Sequence, residues 1–188
     1  MKKKIAILGS TGSIGKSTLD IIYKDKKNFD VILLTANNNY KALIQQAKKF
    51  KAKNVLIKNE KFYPKVKSAL KGTKVFFGDV SIRKIVNTKI DYSMSAIVGL
   101  AGLQPTIDAI KISKIVAIAN KETIICGWNI LSKFIKKYKT KVLPVDSEHF
   151  SIMELTKNVS NDEVEEIIIT ASGGPFLNLP INKLKYMR

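Results

Sequence analysis

The part of the sequence that most constrains the fold lies near the N-terminus. Residues 5–8 form a short apolar run, and Gly9, Gly12 and Gly15 follow at once, before apolar residues resume at helical spacing. Glycine allows backbone angles closed to other residues and lets a phosphate approach backbone N–H groups at the positive end of a helix dipole. Residues 4–20 therefore predict a βα unit that binds an anionic nucleotide.

Two phosphate-binding patterns compete for this glycine turn, residues 9–15. A nucleoside-triphosphate loop reads G-x-x-x-x-G-K-[ST], and Gly15, Lys16 and Ser17 supply its ending. Counted from Gly9, however, the position that should hold the second glycine is Ile14, so the loop is one residue too long. The dinucleotide pattern fits as an extended variant, G-x-x-G-x-x-G. The spacing favours a dinucleotide, while a phosphate-loop ATPase and a turn without any ligand stay open as alternatives.

Strand and helix signals alternate along the chain with short polar connections, which predicts an α/β fold. The expected architecture is a doubly wound, Rossmann-like, mostly parallel sheet covered by helices. After the first βα unit, strands are predicted over residues 31–35, 54–57, 74–77, 92–98, 115–119 and 141–145. Helices are predicted around residues 42–47 and over residues 61–70, 80–86, 105–112 and 121–137, with Pro64 breaking the second of these near its start.

Composition narrows the class of protein. The formal net charge is +18, but lysines are spread along the whole chain, and only Arg83 and Arg188 are arginines. Sequence-specific nucleic-acid readers cluster arginine, so we expect no nucleic-acid partner, although a basic nucleic-acid module is the non-enzymatic alternative. Cys126 is the only cysteine, which excludes an intrachain disulfide. Without a signal peptide or an apolar span of membrane length, the expectation is a cytoplasmic protein with no membrane partner.

The end of the second predicted strand indicates which dinucleotide binds. An acid at this point accepts hydrogen bonds from the adenosine ribose in NAD-binding folds and repels the extra phosphate of NADP. Here the tip holds Asn37, Asn38 and Asn39, while Asp30 lies at the opposite end of the strand. NADPH is therefore favoured over NADH. The three asparagines also suit a plain turn, and the two roles are compatible.

A second candidate site directly follows the last predicted strand, at the sheet edge where ligands bind in open α/β folds. If the backbone is extended here, Asp146 and Glu148 share a face, and paired carboxylates suit Mg²⁺ or Mn²⁺. His149 is the sole histidine, and we interpret it as a structural or orienting residue rather than a catalytic base.

A third candidate follows residues 167–169, three isoleucines that predict another buried strand. Ser172, Gly173 and Gly174 come next, and their hydroxyl and backbone N–H groups are suited to cradle a phosphate. A sharp turn without a ligand explains the same residues equally well.

Together these motifs resemble the 1-deoxy-D-xylulose 5-phosphate reductoisomerase family. The similar segments are GSTGSIG at residues 9–15, ANKE at 119–122, PVDSEH at 144–149 and SGGPF at 172–176. Their order and spacing match that family across essentially the whole chain. The resemblance implies an enzyme of the non-mevalonate isoprenoid pathway that converts 1-deoxy-D-xylulose 5-phosphate, a phosphorylated sugar, to 2-C-methyl-D-erythritol 4-phosphate with NADPH and a divalent cation (Mg²⁺, Mn²⁺ or Co²⁺).

The resemblance also assigns roles residue by residue. Asp146 and Glu148 match catalytic metal ligands, and Ser147, Glu148 and Ser172 match substrate-binding residues. Where the family usually has Gly-Lys after the second strand, this chain has two asparagines, which leaves the third as the closest match for the 2′-phosphate contact. The cofactor-binding residues implied in this way are Thr11, Gly12, Ser13, Ile14, Asn37, Asn38, Asn39, Asn120, Lys121 and Glu122.

The family's reaction gives these residues a common purpose. The metal would act as a Lewis acid on the substrate while a carbon–carbon bond breaks and re-forms in a retro-aldol and aldol sequence, and NADPH would then reduce the new aldehyde. We expect residues 1–145 to be the NADPH-binding domain and residues 146–188 the beginning of a catalytic, metal- and substrate-binding domain that is incomplete and inactive alone. The resemblance implies a homodimer at full length.

Overall fold

The computed structural model describes residues 2–169 and 179–184. The chain divides into two compact units, Met1–Asp146 and Ser147–Arg188. In the described part of the first unit, seven parallel strands form one sheet in the order β4-β3-β2-β1-β5-β6-β7. The predicted doubly wound α/β fold is confirmed.

The strands and the helices of the first unit alternate. The strands are β1 (Lys3–Leu8), β2 (Phe29–Ala36), β3 (Asn54–Ile57), β4 (Lys74–Phe77), β5 (Ile90–Ser95), β6 (Ser113–Ile118) and β7 (Lys141–Pro144). The helices are α1 (Ser13–Lys24), α2 (Tyr40–Phe50), α3 (Tyr63–Ala69), α4 (Ile82–Ile85), α5 (Leu103–Ile112) and α6 (Lys121–Tyr138).

β1 lies at the centre of the sheet, with β2 on one side and β5 on the other. Helices cover both faces, so the last four residues of β1 are all buried and read as an unbroken apolar run. On one face Leu19 of α1 and Leu43 of α2 belong to the core, and on the other Ile110 of α5 and Leu131 of α6 do. Because the chain order reverses between β1 and β5, a crevice opens there at the carboxyl ends of the strands.

Two predicted helices differ in their details. Pro64 does not break its helix but lies in the first turn of α3, where its missing N–H costs no intrahelical hydrogen bond. The helix expected over residues 80–86 is only the four-residue α4, whose start is held by Asp108: its carboxylate accepts hydrogen bonds from the Ser81 hydroxyl at 2.6 Å and the Ile82 N–H at 3.1 Å.

The second unit begins with α7 (Ser147–Thr156), and a short helix α8 (Ile181–Leu184) lies near its end. The buried strand predicted over residues 167–169 is wrong: the segment has no regular structure, and Ile167, Ile168 and Ile169 are 53%, 77% and 66% exposed. β-branched residues favour a strand only where a neighbouring strand supplies hydrogen bonds and burial, and no described strand pairs with this segment.

No helix in the described ranges has the length and apolarity needed to cross a membrane.

Candidate nucleotide-binding site

The glycine turn connects β1 to α1 and is anchored to β2. Gly9 has a φ of 79°, in the left-handed region that favours glycine, and its N–H donates to Thr35 Oγ1 at 2.9 Å. The Ser10 N–H donates to the Thr35 carbonyl at 2.9 Å. Thr35 therefore holds the turn through both its side chain and its backbone.

The three glycines of the turn have different steric roles. A Cβ on Gly9 would lie 2.7 Å from the carbonyl oxygen of Ala96, and a Cβ on Gly15 would overlap the carbonyl oxygen of Gly9. A Cβ on Gly12 would meet only the Gly9 carbonyl, at an ordinary 3.5 Å. Gly9 and Gly15 are thus required by packing, whereas Gly12 borders open space.

That space belongs to a cleft of about 320 Å³ at the switch point of the sheet. Gly12, Ser13 and Ile14 at the start of α1 form one wall. The remaining lining residues are Ala96, Ile97, Val98, Ala119, Asn120, Lys121, Glu122 and Asp146. Seven of the residues predicted from sequence are therefore brought together at one edge of the first unit.

The loop after β5 forms the opposite wall, and sequence reasoning did not single it out. Ala96, Ile97 and Val98 line the cleft beside Ala119, which follows β6. In the sequence, only the end of a strand followed by Gly99 and Gly102 marks this loop. That pattern does not place the loop at the cleft, because its position depends on β5 being the neighbour of β1 in the sheet.

Asn120 lines this cleft and is 3% exposed. Its Oδ1 accepts a hydrogen bond from the Thr123 N–H at 3.0 Å and so caps α6. Its Nδ2 donates to the carbonyl oxygens of Ile97 and of Gly99, the latter at 2.6 Å. Lys121 and Glu122, the first residues of α6, are more exposed and line the cleft directly.

The asparagine tip lies apart from the residues that line this cleft, at the ends of β2 and β3. The Asn38 Oδ1 accepts from Asn59 Nδ2 at 2.8 Å, and the Asn37 carbonyl accepts from the Asn59 N–H at 3.2 Å. Asn39 caps α2, because its Oδ1 accepts from the Ala42 N–H at 3.1 Å. The tip therefore forms an ordered turn, and its predicted role in binding the cofactor stays a prediction.

The two carboxylates predicted to bind metal lie in different units of the chain. Asp146 ends the first unit and lines the cleft, and Glu148 is the second residue of α7. The prediction that these two carboxylates share a face is wrong. It assumed an extended backbone, whereas a helix begins at Ser147, and residues two apart on a helix do not share a face. The Ser147 hydroxyl donates to Glu148 Oε2 at 2.9 Å.

Metal binding by these residues stays a prediction. Among the described residues, His, Cys, Asp and Glu form no cluster of three or more that could hold a metal ion. Ser172, the predicted phosphate-binding serine, lies outside the described residues, as do Gly173 and Gly174.

A larger cleft of about 500 Å³ lies at the other edge of the first unit, between the C-terminal ends of α2 and α3. Lys48, Lys51, Lys53 and Lys71 line it, and it contains none of the predicted site residues. Helix C-termini disfavour anions, so these lysines complement the helix dipoles.

A doubly wound parallel sheet with a glycine turn at its switch point defines the class: a nucleotide-binding domain of the kind found in dinucleotide-dependent enzymes. Residues 5–127 match the family model of 1-deoxy-D-xylulose 5-phosphate reductoisomerase, and residues 142–188 match that of the C-terminal domain of the same enzyme. The chain belongs to the 1-deoxy-D-xylulose 5-phosphate reductoisomerase family, which confirms the resemblance seen in the sequence.

Individual relatives agree with this assignment. The chain is 56% identical over 187 residues to the 1-deoxy-D-xylulose 5-phosphate reductoisomerase of Pelagibacter ubique, covering 97% of this chain and 48% of the relative. It is 42% identical to that of Bacteroides fragilis, covering 98% of this chain and 48% of the relative. The chain thus spans about half the length of the curated relatives it matches.

Solved structures show the same relationship. The Zymomonas mobilis reductoisomerase in complex with NADPH superimposes with a TM-score of 0.89 at 37% identity, covering all of this chain and 50% of that one. A DOX-P reductoisomerase in complex with NADPH, fosmidomycin and magnesium gives a TM-score of 0.83 at 30% identity, covering 98% and 49%. None of these relatives supports the alternative of a phosphate-loop ATPase.

Proposed function

We propose that this chain provides the NADPH-binding domain, and part of the catalytic domain, of an enzyme that converts 1-deoxy-D-xylulose 5-phosphate to 2-C-methyl-D-erythritol 4-phosphate. The observation that carries the proposal is the cleft at the switch point, where the glycine turn, the β5 loop and the start of α6 converge. The relatives solved with NADPH support the same cofactor.

The cleft fits the pyrophosphate of a dinucleotide. Gly12 leaves open space where a side chain would otherwise stand, so a phosphate can approach the backbone. The bond from the Lys16 N–H to the Gly12 carbonyl, at 2.9 Å, begins the hydrogen bonding of α1, so the N–H groups of Ser13, Ile14 and Gly15 have no partner within the helix. The first turn of α1, which is described throughout, carries no acidic side chain to repel the phosphates.

The asparagine tip supports a preference for NADPH. α2 begins there with Asn39 as its cap, and the described first turn of α2 contains no acidic residue. Asp30, the acid of β2, is at the far end of the strand, where it pairs with Lys53 at 2.7 Å. A dianionic 2′-phosphate would thus meet amide groups and a helix N-terminus rather than a carboxylate.

By family resemblance the start of α6 lies near the nicotinamide half of the cofactor, and the β5 loop lines the same cleft. Bound there, NADPH would supply the hydride that reduces an aldehyde. The role of this chain is to hold the dinucleotide between two ordered walls and to exclude water from one side of it.

Substrate and metal binding extend the proposal to residues at the end of the first unit and the start of the second. Asp146 and Glu148 offer hard oxygen ligands suited to Mg²⁺ or Mn²⁺, and Ser147 and Ser172 offer hydroxyls to the substrate. A homodimer in the cytoplasm, with no nucleic-acid partner, completes the proposal. The relative solved with fosmidomycin and magnesium supports the metal and the substrate pocket.

The test is a fluorescence titration of the chain with NADPH, NADH, ATP and a generic oligonucleotide at physiological salt. We expect NADPH to bind most tightly, with NADH weaker and ATP and the oligonucleotide weaker still. Equal affinity for NADPH and NADH would contradict the assignment of the asparagine tip. Tighter binding of ATP or of the oligonucleotide would contradict the proposed function.

A further inference from the structure

We infer that Asn120 is a positioning residue, whose side chain holds the β5 loop (residues 96–102) in the place where it can serve as a wall of the dinucleotide site. The inference rests on the proposed function, because it concerns the NADPH-binding cleft. It differs from the role implied by family resemblance, in which Asn120 itself contacts the cofactor.

The hydrogen bonds of Asn120 carry the argument. An asparagine amide offers one oxygen acceptor and two N–H donors. Here Oδ1 is engaged by the Thr123 N–H, and Nδ2 is engaged by the carbonyls of Ile97 and Gly99. Because the whole residue is only 3% exposed, Asn120 has little surface to offer a ligand.

The other described contacts of the loop fix its ends more firmly than its middle. Its ends are fixed, because the Ala96 N–H donates to the Leu8 carbonyl at 2.9 Å and the Gly102 carbonyl accepts from Thr106 Oγ1 at 2.7 Å. Between them, Ile97 packs partly buried against the core, and the Gly99 carbonyl also accepts a hydrogen bond from the Gly102 N–H at 3.1 Å. Val98 is 86% and Leu100 61% exposed, so the burial of these two side chains contributes little. The amide of Asn120 adds two hydrogen bonds that join the middle of the loop, at Ile97 and Gly99, to the start of α6.

Gly102 shows how closely the two elements fit. A Cβ at this position would lie 2.5 Å from Asn120 Nδ2 and 2.6 Å from the Ile97 carbonyl oxygen. The φ of Gly102 is −77°, so alanine is compatible with the backbone and the contact alone selects against a side chain. Gly102→Ala therefore tests the same junction from the opposite side.

The first variant is Asn120→Ser. Serine is as good a helix cap as asparagine, so the cap on α6 is retained, but its short hydroxyl cannot replace the two bonds that Nδ2 donates to the loop. If the loop then occupies its binding-competent position about a tenth of the time, the apparent Kd for NADPH rises about tenfold. Gly102→Ala should act in the same direction.

The matched control is Asn54→Ser. Asn54 is also buried, at 8% exposure, and its Nδ2 donates to the Ile32 carbonyl at 2.9 Å. It is the first residue of β3, however, and so lies at the amino ends of the strands, whereas the cleft lies at their carboxyl ends. This variant loses a comparable buried hydrogen bond and reports the effect of destabilisation alone. Its affinity for NADPH should match that of the parent chain.

The decisive measurement is amide hydrogen exchange of residues 97–102 without cofactor, with NADPH titration alongside. We expect Asn120→Ser and Gly102→Ala to accelerate exchange in the loop and to weaken NADPH binding, and Asn54→Ser to do neither. Weaker NADPH binding with unchanged loop exchange would show direct contact with the cofactor and overturn the inference. Faster loop exchange with unchanged affinity would overturn it equally.

Failure of the proposed function and failure of the inference about Asn120 give different results. A parent chain that binds no NADPH would contradict that function, while the exchange measurement needs no cofactor and still decides whether Asn120 holds the loop.

Discussion

Gln46 on α2 forms two hydrogen bonds with Ser10 in the glycine turn, 36 positions earlier in the chain. Its Oε1 accepts from the Ser10 hydroxyl at 2.8 Å, and its Nε2 donates to the Ser10 carbonyl at 2.9 Å. Ser10 is fully buried, so its hydroxyl and its carbonyl need partners inside the protein. The glycine turn is thereby tied to α2 as well as to β2.

Replacing Gln46 with alanine should lower the free energy of unfolding by about 1–2 kcal/mol, because the buried Ser10 carbonyl loses its side-chain partner. Gln45, the neighbouring exposed residue on α2, provides the control, and Gln45→Ala should change stability by less than about 0.5 kcal/mol. Urea denaturation measures both. Equal effects of the two substitutions would contradict the anchoring role of Gln46.

The glycines of the turn should separate binding from folding. Gly12→Ala places a methyl group in the cleft, so NADPH affinity should fall about tenfold or more, since a phosphate can no longer approach the backbone. Stability should change by less than about 1 kcal/mol, because Gly12 has an extended backbone that alanine adopts readily.

Gly15→Ala is the matched comparison. Its added methyl group would overlap the Gly9 carbonyl, so we expect a loss of about 2 kcal/mol or more in unfolding free energy. Denaturation and NADPH titration on both variants test the contrast. A Gly12→Ala chain that binds NADPH like the parent would show that the phosphates lie elsewhere.

The asparagine tip should control the choice between NADPH and NADH. Asn38→Asp keeps an oxygen for the hydrogen bond from Asn59 Nδ2 but adds a negative charge at the end of β2. Repulsion of the 2′-phosphate should weaken NADPH binding about tenfold while leaving NADH nearly unchanged. Titration with both nucleotides measures the ratio, and a parallel loss for the two would indicate a general distortion of the site.

The carboxylates that follow β7 should affect the metal and spare the dinucleotide. Asp146→Ala or Glu148→Gln should weaken Mn²⁺ binding, measured by calorimetry, because each removes an anionic oxygen ligand. NADPH affinity should stay nearly the same for Glu148→Gln. Glu154→Gln, which changes an exposed glutamate on the same helix, is the control and should leave Mn²⁺ binding intact. Simultaneous loss of Mn²⁺ binding and of NADPH binding would point to misfolding.

The sequence by itself determined the elements whose signals are local. The apolar run of β1, the glycines after it and the start of α1 lie within 20 residues, and their chemistry allows few structures other than a glycine-rich βα turn. The alternation of strands and helices likewise predicted the doubly wound sheet. Family resemblance added the residues at the start of α6 and after β7.

Only the tertiary structure decided how distant segments meet. Neither the anchoring of Ser10 by Gln46 nor the hydrogen bonds from Asn120 to the β5 loop leave a pattern in the sequence, because each joins residues more than 20 positions apart. Tertiary context also overrode local preference at residues 167–169, where three strand-forming isoleucines have no described partner strand. Long-range partners supply the hydrogen bonds and burial that local propensity lacks, and strand order alone placed the β5 loop opposite Gly12.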